Sequence, residues 1–283
     1  MITRDTHVQD ALTEAVTALN RASDADATLK TATALGLAGT IAPLVGVAKG
    51  VAQVVANCTT SARRMSEQTE DAAVGEAHHG TRLATRAAAR TLQGLRAHLV
   101  ETHTAAWNAR AAAAVTSSPG VAARDHLEVA DRALTQAGNL GLHRAGTDPI
   151  ALASTTHALP HIADRLVSLI EACRNAAHRL AEQATTPAEQ TAHRDTEHAA
   201  YQAVRTAHSL RRTLATLAGR AQEARALAVR KCPECGEAAL AHTPDDLTPA
   251  QRNSRRRPAW SHRDGTQLCP VMGTGGYEPA KPV

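Results

Sequence analysis

Leu159-Pro-His-Ile162-Ala-Asp-Arg-Leu166-Val-Ser-Leu169-Ile-Glu-Ala-Cys173 is the stretch that decides the fold. Its large apolar residues recur every three or four positions, and Leu180 continues the series. This is the period of one face of an α-helix, not the alternation of a strand. Beyond Thr185-Thr186-Pro187 the same spacing returns in Ala203, Ala207, Leu210, Leu214, Leu217 and Ala221. Two such helices joined by a short turn at this break predict an antiparallel helical hairpin with coiled-coil-like seams. Cys173 falls on the apolar stripe and reads as a small core residue.

The period extends toward the N-terminus. Val8, Leu12, Val16 and Leu19 mark a helix over 6–21, capped by Asp5 or Thr6 and ended near Ser23-Asp24. From about Val51 to Ser117 the pattern is helical. Ser117-Ser118-Pro119-Gly120 then breaks it, a helix resumes over about 121–138, and Gly138 to Pro149 form a longer connection. With no Phe, two Trp and two Tyr, the core must be built from Ala, Leu and Val. Alanine is the strongest helix former and lets helices approach closely. The expected fold is mainly α: an elongated, Ala-rich antiparallel bundle over 1–230 with a sub-boundary near 117–120, a different module over 231–272, and a flexible tail over 273–283.

Residues 31–48 carry no charge and approach the length of a minimal membrane span. Gly46 and Gly50 have the spacing that permits close helix approach. Pro43, Gly36, Gly39 and the threonines weaken the case for insertion. The segment is expected as a buried helix or helical hairpin, with membrane association as the alternative. The start, Met1-Ile2-Thr3-Arg4-Asp5, lacks a secretory pattern, and the isolated Cys58 and Cys173 suit a reducing compartment, so the chain is expected in the cytoplasm.

After Arg230 the character changes, with Pro and Gly frequent enough to exclude a long helix. Cys232-Pro233-Glu234-Cys235-Gly236 holds two thiols two residues apart, so one turn can present both to a tetrahedral zinc ion, and Gly236 permits the positive φ such turns use. Cys269 is the third ligand. For the fourth there are two candidates, His262 and His242. Asp264-Gly265 is a hairpin signal that sets His262 against Cys269, whereas His242 reaches the ion only if its segment folds back. The expected cofactor is therefore one zinc held by Cys232, Cys235, His262 and Cys269, in a structural site.

Residues 230–272 resemble a zinc ribbon, in which a Cys-Pro-x-Cys-Gly knuckle is followed by strands and a second knuckle. The first knuckle matches. The second departs, with Met272 where another Cys would stand. The tail, with Trp260, His262, Asp264-Gly265, Leu268-Cys269-Pro270 and Gly276-Tyr277, is also similar to C-terminal modules of uncharacterised actinobacterial proteins.

A net charge of +4 permits an acidic partner without requiring one. Arg252, Arg255, Arg256 and Arg257 lead to Trp260, joining phosphate-binding forks to a ring that can stack on a base, and this loop is the expected nucleic-acid contact. Arg82, Arg86 and Arg90 share a helical face, which ordinarily means a solvated one. No phosphate loop or nucleophile elbow occurs, and Glu76-x-x-His79 is a single copy of a motif that di-iron sites need twice. A non-enzymatic binding or scaffold protein that self-associates is the expectation, with a protein or nucleic acid as its partner.

Overall fold

The computed structural model describes residues 4–24, 33–113, 121–140, 148–253, 257–273 and 276–283. Six long helices account for most of it: α1 (Arg4–Asp24), α2 (Ala34–Gln68), α3 (Ala72–Ala112), α4 (Val121–Leu140), α5 (Pro149–Gln183) and α6 (Pro187–Ala228). α2, α3, α6 and α5 pack in that order around a ring, and α1 and α4 close over the α2–α5 side. The mainly α bundle expected from the periodicity is what forms.

Each boundary has a local cause. Asp148 caps α5 by accepting from the Ile150 N–H, with Pro149 in the first turn. Thr186 caps α6 through the Glu189 N–H, and the Glu189 carboxylate returns to the Thr185 N–H, so that the turn between the helices is tight. The expected continuous helix from Val51 is cut instead at 69–71. There the Thr69 N–H closes α2 on the Met65 carbonyl, and Asp71 accepts from Ala73 and Val74 to open α3. The expected breaks at 117–120 and 141–147 lie outside the described residues.

The uncharged segment is part of one unbroken helix that runs through Pro43, not a hairpin. α2 is long and apolar enough to cross a membrane, yet 61% of its most apolar window is buried inside the bundle. Its glycines are contact points. A Cβ on Gly50 would stand 2.6 Å from the Leu134 Cβ of α4, and one on Gly46 would meet the Asp131 carboxylate at the same distance. The core around them is alanine interleaved with Leu12, Leu19, Leu37, Ile41, Leu95, Leu99, Leu134 and Leu159. Cys58 and Cys173 are buried in it, and burial pushes the Cys58 thiol up to about 12.

At the end of the bundle where α2 and α6 finish and α3 and α5 begin, the chain enters β1 (Val229–Lys231). β1 pairs antiparallel with β2 (Ala238–Leu240), and β2 with β3 (Ser261–His262). A single helical turn, α7 (Pro249–Arg252), lies between β2 and β3, and β4 (Pro270–Gly273) pairs with β5 (Gly276–Pro279). Pairing continues past the expected module boundary at 272. Ala280 joins the module's own core, and Lys231 and Val283 exchange backbone hydrogen bonds at 2.9 Å.

Candidate metal centre

The knuckle between β1 and β2 is shaped by its backbone. The Cys232 N–H donates to the Glu237 carbonyl and the Gly236 N–H to the Cys232 carbonyl, both at 2.9 Å, and Gly236 takes φ 74°. A side chain at that φ is disfavoured, which is why glycine closes the turn. Across from it, β3 ends in a hairpin whose turn carries Gly265 at φ 90°. The His262 N–H donates to the Thr266 carbonyl, and the Gly265 N–H to the His262 carbonyl. Asp264 fixes this turn by accepting from both the N–H and the hydroxyl of Thr266, hydrogen bonds that hold its carboxyl below its ordinary value.

These two turns bring Cys232, Cys235, His262 and Cys269 together, with all four ligand atoms within 4.8 Å of one another. The His262 Nε2 is 3.9 Å from the Cys235 Sγ and 3.7 Å from the Cys269 Sγ. Around a tetrahedral zinc ion, bonds of about 2.3 Å to sulfur and 2.0 Å to nitrogen place such atoms about 3.6 Å apart. The group is therefore close to ligand spacing. Among the described residues it is the one cluster of three or more His, Cys, Asp or Glu side chains able to hold a metal. His262 is the histidine brought in. His242 lies instead at the base of the module, in a small pocket with His78, Met65 and Pro149.

The electrostatics suit a cation. Burial pushes the Cys232 thiol up, but the N–H groups of Cys235, Glu234 and Cys269 and the Cys235 thiol outweigh it and bring it to about 7. Cys269 moves the other way, to about 11, because its hydrogen bond with Cys235, its burial and the adjacent Cys232 all disfavour another thiolate. Three thiols this close cannot all ionise without a positive charge among them.

Sequence reasoning missed the group behind the histidine. His262 Nδ1 is buried with no hydrogen bond, and the Glu237 Oε2 lies 3.4 Å from it. A carboxylate behind a ligating imidazole fixes the tautomer and raises ligand basicity. It also missed the contact that seats the module: the Arg263 Nε and Nη2 reach the Asp148 Oδ2 at 2.9 and 2.8 Å, and the Ala241 N–H donates to the Ala228 carbonyl.

The expected nucleic-acid loop is divided. Arg252 donates to the Leu247 and Asp245 carbonyls, and Arg257 is exposed. Arg255 and Arg256 lie outside the described residues. Trp260 packs on the module core, with the Arg230 guanidinium 5.0 Å above its ring. Comparison with known families, with curated proteins and with solved structures finds no match to this chain. The site therefore has to be read from its own chemistry.

Proposed function

We propose that the chain is a non-enzymatic binding or scaffold protein whose C-terminal zinc ribbon is folded by one structural zinc ion and seated on the end of the helical bundle. The observation that carries this reading is the convergence of Cys232, Cys235, His262 and Cys269 at ligand spacing. Four protein ligands fill a tetrahedral shell and leave no open position for substrate, as in structural zinc sites. The module's own core is small, centred on Cys232, Ala239, Leu268 and Ala280. So little buried apolar surface rarely holds a fold alone, and metal binding would supply the missing free energy.

Metal analysis by mass spectrometry on reduced full-length protein tests it. One zinc per chain is expected, lost in Cys232→Ser and weakened in His262→Ala. Chelation should loosen the module while leaving the helical circular dichroism largely intact. Metal-free protein from a zinc-sufficient, reducing preparation would overturn the reading.

A further inference from the structure

The contact between α3 and α6 places two arginine-bearing, carboxylate-free stretches side by side. Between Glu76 and Glu101, α3 carries Arg82, Arg86, Arg90 and Arg96 and no acidic residue. Between Glu197 and Glu223, α6 carries Arg205, Arg211, Arg212 and Arg220 and again none. The helices run antiparallel. The Thr81 hydroxyl donates to the Arg220 carbonyl, and a Cβ on Gly94 would lie 3.6 Å from the Thr206 Cγ2. This register sets Arg90 level with Arg212, and Arg96 level with Arg205.

Two of these charges are answered within the protein. Arg211 pairs with Asp164 of α5, and Arg220 with Glu223. Arg86, Arg90, Arg96, Arg205 and Arg212 are exposed and make no ion pair among the described residues. A groove of ≈ 670 Å³ opens along α6 next to Thr91 of α3, lined there by Gln202, Arg205, Thr206, His208, Ser209 and Arg212. The Thr91 and Thr206 hydroxyls donate to the Ala87 and Gln202 carbonyls, which leaves the Ser209 hydroxyl and the Gln202 amide as groups of the kind that hydrogen-bond phosphate oxygens.

We infer that this α3–α6 face binds the phosphate backbone of double-stranded nucleic acid without reading sequence. It rests on the reading of the chain as a binding protein, and it places the contact on the helices rather than on the loop at 252–257. Arg205 is level with position 96 of α3, so along the helix axes it stands about 15 Å from Arg86, too far to converge on one phosphate and suited to a chain of them. Arginine forks engage phosphates bidentately, and the two stretches carry no carboxylate of their own to repel them; Asp164 and Glu171 of α5, paired with Arg211 and His208, border the α6 side. A lipid surface fits less well. The exposed large apolar groups on the two stretches sit only at their ends, Leu83 at one and Val100 with Tyr201 at the other, so no apolar ridge flanks the arginines for insertion.

The test is fluorescence anisotropy of the full-length, zinc-loaded protein with two unrelated DNA duplexes of about 30 base pairs, titrated at salt from about 50 to 200 mM. Vesicles of phosphatidylserine and phosphatidylcholine provide the lipid comparison. Equal binding to both duplexes is expected. The combined variant Arg86→Gln, Arg90→Gln, Arg205→Gln, Arg212→Gln should lose more than tenfold in affinity and flatten the log–log salt slope by up to about 3.6, at about 0.9 per phosphate contact. Its helicity should be unchanged, because all four side chains are exposed. Arg255→Gln, Arg256→Gln, Arg257→Gln should bind as the parent does. No duplex binding at low salt, unchanged binding in the helix variant, loss confined to the loop variant, or binding to vesicles alone would each overturn the inference. With zinc measured on the same samples, a zinc-loaded chain that ignores DNA refutes this inference alone. A chain that binds DNA without zinc refutes the zinc reading alone.

Discussion

Arg263 and Asp148 join the two parts of the molecule through a divided carboxylate. The Asp148 Oδ1 accepts from the Ile150 N–H to cap α5, and its Oδ2 takes the Arg263 guanidinium at 2.8 and 2.9 Å. Arg263 directly follows His262, so the candidate metal centre is tied to the start of a bundle helix. Asp148→Ala should lose both functions, the cap alone being worth about 1 kcal/mol. Asp148→Asn keeps an oxygen for the cap and loses the charge, so it should cost less. In a double-mutant cycle with Arg263→Ala, monitored by chemical unfolding, a coupling of about 0.5–2 kcal/mol is expected for this partly buried pair. Strict additivity would show that the contact contributes nothing to stability.

Glu237 stands behind His262 rather than among the four clustered side chains. Glu237→Gln should therefore leave one zinc per chain at saturating metal and weaken zinc affinity about 10- to 100-fold, the usual cost of removing such a partner. Competition against a chromophoric chelator measures this. Glu234, in the same knuckle, has no contact with the imidazole, and Glu234→Gln is the control. Equal effects from the two would reduce the role of Glu237 to net charge.

The sequence made the helices legible wherever a helix has one apolar and one wet face, as along Leu159 to Leu180. It failed where that contrast disappears. Ala151, Leu152, Ala153, Thr155 and Thr156 are all buried, so no stripe shows there, and the start of α5 at Pro149 was visible only in its Asp-Pro cap. The break at 69–71 was hidden because Thr69-Glu70-Asp71 contains neither Gly nor Pro and stops the chain through hydrogen bonds alone. The clustering of Cys232, Cys235, His262 and Cys269 was readable because thiol spacing and a hairpin signal are local. The Asp148 contact was not, since its partner lies 115 residues away.

The glycines of α2 separate packing from propensity. Gly39 has nothing within 4 Å of where a Cβ would stand, so Gly39→Ala should stabilise by about 0.5–1 kcal/mol through helix propensity. Gly50→Ala gains the same propensity but drives a methyl to 2.6 Å from the Leu134 Cβ, and the net effect should be a loss of about 1–3 kcal/mol. Gly46→Ala meets only the end of the Asp131 side chain, which can swing aside, and should fall between them. Thermal unfolding of the three variants gives the order, and a stabilising Gly50→Ala would contradict the close approach of α2 and α4.

His78 makes stability depend on pH. Its ring is buried at the seat of the module, its Nδ1 has no hydrogen-bond partner, and burial pushes its pKa down from 6.5 to about 4. The folded state holds the neutral ring, whereas the unfolded chain takes up a proton below about 6.5. Stability from this residue is thus complete above pH 6.5 and is lost as pH falls toward 4, by up to about 3 kcal/mol. His78→Leu removes the proton uptake, so the difference in unfolding free energy between variant and parent should shift in the variant's favour between pH 6.5 and 4.5. The rest of the chain is common to the two proteins and cancels in that difference. A difference that stays constant over this window would mean that the His78 ring is hydrated and able to accept its proton in the folded state.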